Sequence, residues 1–395
     1  MKKVFAAIFF VVVCLCASFS QAADDRTDRK FVAEFEGGRL YKGGDVYIVE
    51  LLGSYREMGR QYGKLLNMEL NKLFDVAING QFIRKDGFSR ERLLVIAKSV
   101  FDVYPQRFKE ILYGMSETSG MDIDRIIMLN AIEWYPKIKT FVPKCSGIAV
   151  WEDYTGGGPL VFGRNNDDTG FYKDFAKYMV VSVFNPLDTS VPFAVINYAG
   201  VMYAPTGINR KGLFLELNSG NWAGYYPDRL SIFVTLLSFL QDFPTMKEVD
   251  PAFQSTRVNL SSIINVADQN VAYSYECSPS DVKRRSQDRP GLLVATNHFV
   301  DPSWKAPPLD DERNAWTVKR RDNLLALGDK YKGRFNVEKM KEVLDTTMDK
   351  GGATQPAETI YQVIAVPGEL TLWLKAPGNF DWQKVDLKGL LAGEK

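Results

Sequence analysis

An α+β domain with two sheets sandwiched between helices is the fold this sequence predicts, and three observations predict it. Helical periodicity dominates from Ser54 to Trp134. Short strand-like runs separated by Gly, Pro, Asp and Asn then follow one another from Cys145 to about Asn218. After Asp228 helices and strands alternate, which is the pattern of a layered α+β chain rather than a bundle or a barrel.

The elements follow in chain order. Residues 1–22, with Lys2 and Lys3 before the apolar run Val4 to Ala17 and the small-residue site Ser20-Gln21-Ala22, read as a secretory signal. The apolar run is shorter than the ~20 residues a spanning helix needs, so a soluble exported protein, periplasmic or secreted, is expected after its removal. A polar leader runs to about Gly44, and Val46 to Leu52 is a buried strand. Ser54 and Glu57 form a capping box that starts a helix, with Met58, Tyr62, Leu65, Leu66, Leu70, Leu73 and Phe74 on one face. Gly59 and Gly63 lie four apart on it, which calls for another element packed closely there. Further helices are expected at Arg90 to Val103, Pro105 to Ser119 and Ile123 to Trp134.

Strands are expected in GIAVW, LVFGRN, YMVVSVFN, FAVINYA and GLFLELN, and later in SSIINVAD, VAYSYEC and GLLVATNHF. Helices are expected at Asp228 to Phe243, Thr245 to Phe253, Asp311 to Leu327 and Val337 to Thr346, and IYQVIAV and LTLWLKA form a terminal hairpin. Lys319, Arg320 and Arg321 fall on one of these helices and by default form a solvated face. The expected divisions are therefore 1–22 as signal, 23–144 as a mainly helical segment, and 145–395 as the sheet-rich catalytic segment, the last two forming one structural domain.

Composition narrows the function. Lys plus Arg (49) balances Asp plus Glu (48) across 395 residues, so no global field draws nucleic acid or an anionic membrane. A single histidine, His298, gives too few ligands for a His/Cys zinc site, and no metal or other cofactor is expected. Cys14 and Cys16 leave with the signal, so the mature chain holds Cys145 and Cys277.

The chemistry concentrates between Lys144 and Asp168. Cys145 heads one strand, Gly156, Gly157 and Gly158 make a turn, and the returning strand carries Arg164, Asn165, Asn166 and Asp167 back toward the cysteine. A thiol, a guanidinium and carboxylates are thereby gathered as a nucleophile with its electrostatic partners.

These residues resemble the cysteine branch of the N-terminal-nucleophile hydrolases, specifically the penicillin acyltransferase-like and choloylglycine hydrolase-like families. Five stretches in order carry the resemblance: GSYREMGRQYGKLL from Gly53, CSGIAVW with FGRNND, TGINRKGL from Thr206, ATNHF from Ala295 and, more loosely, VKRRDNL from Val318. The resemblance implies a four-layer αββα sandwich preceded by the helical segment, and self-cleavage between Lys144 and Cys145. A free α-amine titrates at about 7.7–8.0 against about 8.5 for a thiol, so one N-terminal cysteine can supply both nucleophile and base. By matching positions, Cys145 is the nucleophile, Arg164 and Asp167 orient and polarise it, and Arg320 supports the site. Asn297 through its side chain and Asn209 through its backbone N–H form the oxyanion hole. Arg321 competes with Arg320 in register, and Asp168 with Asp167. The implied reaction is acyl transfer from a small-molecule amide to water or to an amine.

Two other readings stay open on the sequence alone. Cys145 could pair with His298 as in papain-type enzymes, or an exported ligand-binding protein could carry a Cys145–Cys277 disulfide, with NWAGYYPDRL from Asn221 lining its pocket. Cys277 is otherwise a buried thiol.

Overall fold

The computed structural model describes residues 29–137, 144–220, 226, 229–306 and 309–391. The expected signal, and most of the aromatic stretch from Asn221, lie outside the described residues.

Among the described residues, sixteen strands form two sheets. The larger has ten, in the order Arg29–Phe35, Gly38–Gly43, Val46–Gly53, Met179–Pro186, Phe193–Tyr198, Thr206–Asn209, Phe214–Ser219, Ser262–Ala267, Ala272–Cys277 and Val282–Arg285. All neighbours run antiparallel except Val46–Gly53 and Met179–Pro186, which are parallel and join the first segment to the second. The smaller sheet has six, ordered Leu292–Ala295, Ser146–Val150, Val161–Asp167, Thr359–Val366, Thr371–Ala376 and Phe380–Asp386.

The sheets face each other. Phe162 and Phe214 meet across the interface with ring centroids 5.1 Å apart, and Arg164 reaches Glu216. Helices Thr317–Tyr331 and Val337–Asp345 cover the outer face of the smaller sheet, where Ile148, Val150, Leu292, Leu324, Met340 and Ile364 make a compact core. Helix Ile232–Asp242 lies against Thr206–Asn209, and Phe253 of helix Met246–Ser255 stacks on Tyr275 at 4.3 Å, both on the larger sheet. Helix, sheet, sheet and helix are thus stacked in that order.

The capping box forms as expected: the Ser54 hydroxyl accepts from the Glu57 N–H, and the Glu57 carboxylate accepts from the Ser54 N–H. The helix Tyr55–Leu65 crosses helix Gln106–Thr118 at Gly59, Gly63 and Gly114. A Cβ on any of these would intrude on the facing backbone at Ile111, Met115 or Arg56. The close packing expected at Gly59 and Gly63 is therefore present, with Gly114 as its counterpart. The helix does not run unbroken to Phe74. It caps at Leu66, restarts as Asn67–Phe74 and continues as a π-helix over Asp75–Lys85.

Five strands escape the sequence reading, one of them the buried inner strand Thr206–Asn209. The polar leader is instead the hairpin Arg29–Phe35 and Gly38–Gly43. The charged turn after Cys277 contains Val282–Arg285, and Phe380–Asp386 adds an edge to the terminal hairpin. These four lie at or beside a sheet edge and leave many residues exposed or half-buried, so they lack the apolar alternation that marks an inner strand.

Candidate active site

The site grows from the hairpin that carries Cys145. Ser146 pairs with Asn165 and Gly147 with Arg164, antiparallel, so the returning strand brings its polar end to the cysteine. Gly156 and Gly157 adopt φ of +61° and +83° in the connection, a left-handed geometry that glycine takes without steric cost.

Strand alternation then sorts the charges. Residues three apart on a strand point to opposite faces. Arg164 turns toward the larger sheet, where its Nε lies 3.3 Å from Glu216 Oε2 and its NH2 donates to the Leu217 carbonyl at 2.7 Å. It also bonds the Pro205 carbonyl and the Thr206 hydroxyl. Asp167 turns toward the helices, where Arg320 NH1 lies 3.5 Å from its Oδ2 and the Thr359 hydroxyl donates to Oδ1 at 2.6 Å. Both arginines are fully buried (0 % exposed), so each carries the desolvation cost of a charge and depends on its carboxylate partner.

Cys145 sits between these two pairs. Its Sγ lies 3.8 Å from Arg164 NH2 and donates to the Asp167 carbonyl at 3.6 Å. Its own carbonyl accepts from Arg320 NH1 at 2.7 Å. The neighbouring carbonyl, that of Lys144, accepts from Asn297 Nδ2 at 2.5 Å, and Arg320 NH2 holds the Asn297 Oδ1 at 2.8 Å. Burial pushes the Cys145 thiol up to about 12, with Arg164 opposing the shift and Asp167 adding to it. Burial likewise raises Asp167, opposed by Arg320 and then by Thr359. In the uncut chain the thiol is therefore protonated. The backbone at Cys145 has a φ of +107°, a conformation a side-chain-bearing residue adopts only under strain of order 1–3 kcal/mol.

Five of the six expected catalytic positions, Cys145, Arg164, Asp167, Asn297 and Arg320, come together. The register question resolves on geometry. Arg320 is the buried member of its pair, whereas Arg321 turns away to Asp288. The solvated face expected for Arg320 is thus corrected, because the helix directs this residue inward under Cys145. Asp167 makes the buried contacts, while Asp168 lines the small pocket of ≈ 30 Å³ beside Cys145, room for about one water.

Asn209 is the exception. Its backbone N–H donates to the Leu213 carbonyl at 3.0 Å, and its side chain is spent on the same turn and on the Phe243 carbonyl. It shapes a hairpin and gives no donor to Cys145. The edge residue that does reach the site is Ser219, whose carbonyl accepts from Asn297 Nδ2 at 2.7 Å. Leu217 N donates to Pro205 O along the same edge, so alternation turns the Ser219 N–H to that side as well. Backbone donors carry no side-chain signature, and the sequence offered none here.

The two rival readings lose their geometry. His298 Nδ1 meets the Thr317 hydroxyl at 3.0 Å and the Thr296 hydroxyl at 3.3 Å, in no contact with Cys145. Its pKa is lowered to about 4, by burial first and then by Arg321. Cys145 and Cys277 are both free thiols, and Cys277 is buried with Sγ directed at the Tyr275 carbonyl.

Two facing sheets between helices, with a cysteine at the head of an inner strand amid arginine, aspartate and asparagine, define the cysteine type of N-terminal-nucleophile hydrolase. Residues 154–349 match the family model of acyl-coenzyme A:6-aminopenicillanic acid acyl-transferase. The chain is 23 % identical over 289 residues to the acyl-coenzyme A:6-aminopenicillanic-acid-acyltransferase 40 kDa form of Emericella nidulans, covering 72 % of this chain and 78 % of that one. The family-model match spans just under half of the chain, and both matches mark it as similar to the penicillin acyltransferase-like enzymes.

Among solved structures, it is similar to a Caenorhabditis elegans N-acylethanolamine-hydrolyzing acid amidase ortholog. That match has 20 % identity and a TM-score of 0.43, covering 57 % of this chain and 93 % of the other. It is also similar to conjugated bile acid hydrolase from Clostridium perfringens, at 14 % identity and a TM-score of 0.46, covering 63 % and 95 %.

Proposed function

We propose that this chain is an exported amidohydrolase or acyltransferase that cuts its own Lys144–Cys145 bond and then uses Cys145 as an N-terminal nucleophile. The observation that carries this reading is the seating of the Lys144 carbonyl oxygen on Asn297 Nδ2, beside the Cys145 thiol. An amide donor held on that oxygen stabilises the oxyanion formed when sulfur attacks the carbonyl carbon. Among the described residues no helix is long and apolar enough to cross a membrane. Export rests on the residue 1–22 signal pattern.

In the self-cleavage step Sγ bonds to the Lys144 carbonyl carbon, the C–N bond to Cys145 breaks, and the thiol proton ends on the released nitrogen. Water then hydrolyses the thioester, freeing the Lys144 carboxylate and restoring the thiol. Strain at Cys145 favours the step, because breaking the peptide bond releases its φ. The new α-amine is a base near neutrality on the same residue as the thiol, and supplies what the uncut site, with its thiol near 12, lacks.

In each turnover the amine takes the thiol proton, sulfur adds to the substrate carbonyl, and the leaving amine departs with that proton. Water or a second amine attacks the thioester and completes hydrolysis or transfer. Asn297 and the Ser219 N–H are the oxyanion donors in this reading, Arg164 sits against the sulfur, and Arg320 orients both Asn297 and Asp167.

Iodoacetamide labelling tests it. The purified wild type should alkylate at Cys145 with loss of amide-cleaving activity, and Cys145→Ala should have none. Activity that survives in Cys145→Ala refutes the assignment. Removal of residues 1–22 should leave the protein in the cytoplasm of an expression host.

A further inference from the structure

Lys144, the residue on the acyl side of the bond to be cut, is held at both ends. Its carbonyl rests on Asn297, and its Nζ lies 2.7 Å from Glu358 Oε1. The lysine side chain is 13 % exposed and that of Glu358 32 %, so the pair is partly desolvated.

Glu358 is not a loosely placed surface carboxylate. Its N–H donates to Gln355 O at 2.8 Å and its carbonyl accepts from Asp168 N at 3.0 Å. The next residue, Thr359, pairs with Asp167 in the smaller sheet and bonds its carboxylate. The segment that fixes Glu358 thus also fixes the polar cluster around Cys145. Its distance from the Cys145 site is set by strand pairing.

The uncut chain therefore displays an acyl group in place. A lysyl carbonyl occupies the oxyanion donor, and its ammonium, one lysine side chain away, occupies a carboxylate. We propose that Glu358 serves twice: it docks Lys144 for self-cleavage, and in the processed enzyme it binds the cation of a substrate whose acyl part carries an ammonium at lysine's length. The substrate class is an amide of a basic aminoacyl group. This rests on the acyl-enzyme reading above and adds the identity of the acyl part. Withdrawal of the freed Lys144 terminus after cleavage leaves a half-buried carboxylate beside the site, and a substrate cation restores the lost pairing.

The probes are lysine 4-nitroanilide and norleucine 4-nitroanilide, which share a four-carbon side chain and differ in the terminal ammonium. Processed wild type should cleave the lysyl compound with a kcat/KM about tenfold higher, the difference lying in KM. Glu358→Gln should lose about tenfold more on the lysyl than on the norleucyl compound, and should slow self-cleavage to a similar degree as Lys144→Met. If Glu358→Gln is not processed, the wild-type ratio alone decides.

Equal or better cleavage of the norleucyl compound overturns the proposal, as does an equal loss on both compounds in Glu358→Gln, which would make Glu358 a partner of the Cys145 amine. A cut, alkylatable enzyme that prefers neutral amides takes down this proposal alone. An uncut chain inert toward both takes down the acyl-enzyme reading with it.

Discussion

Asn297 Nδ2 donates to the carbonyl oxygen of Lys144 at 2.5 Å, although the two residues are 153 positions apart. The same nitrogen donates to Ser219 O and the same amide's oxygen accepts from Arg320. The amide is therefore fixed in orientation, with one N–H committed to the bond proposed to break. A preorganised donor of this kind is worth far more to a transition state than a mobile one.

Asn297→Ala should accordingly slow self-cleavage by about 10²–10³-fold while leaving Cys145 in place. A time course of fragment appearance by intact mass checks it. A variant that processes at the wild-type rate would remove Asn297 from the oxyanion site.

Arg320→Met should destabilise the uncut fold by about 3–5 kcal/mol, because Asp167 is left buried without its cation. Arg321→Gln touches only the Asp288 side and should preserve self-cleavage. Urea unfolding in a Cys145→Ala background measures the first, and fragment analysis the second.

Gly59→Ala reverses the usual sign. At an exposed helical site the change stabilises by about 1 kcal/mol. Here the new methyl would meet the Ile111 carbonyl, so overpacking should destabilise by about 1–3 kcal/mol. A shift of the urea midpoint upward would contradict the close helix crossing.

His298 gives a pH dependence. Its folded pKa, about 4, lies below the ordinary 6.5 because burial, and after it Arg321, disfavour the imidazolium. The fold therefore prefers the neutral ring. That contribution is complete above about pH 6.5 and is lost as pH falls through about 4, on the order of 3 kcal/mol across the window. Thermal melts of His298→Gln should show a shallower loss between those pH values than wild type, with amide cleavage retained. Loss of all acylation would revive a Cys145–His298 pair.

Much of the site was legible because it is local. A thiol, a glycine turn and FGRNND on one hairpin announce their own proximity, and strand alternation follows from the same residues. What was not legible depends on packing between distant elements. Whether Arg320 or Arg321 points inward depends on how the helix Thr317–Tyr331 sits on the smaller sheet, which no spacing within KRR reveals. Asn209 misled because an asparagine that closes a turn and one that supports an oxyanion look alike in sequence. Ser219 reaches the site through its backbone, and Glu358 meets Lys144 from 214 residues away. The strand Arg29–Phe35 was missed because it is a sheet edge with mostly exposed or half-buried residues, so its pattern is that of a polar leader.

The central claim is that Cys145 becomes a chain terminus. Intact mass and N-terminal sequencing of purified wild type, beside Cys145→Ala, test it most directly. Two fragments are expected in wild type, the larger beginning at Cys145, and a single uncut chain in the variant. A single uncut wild-type chain that nevertheless cleaves amides would contradict it.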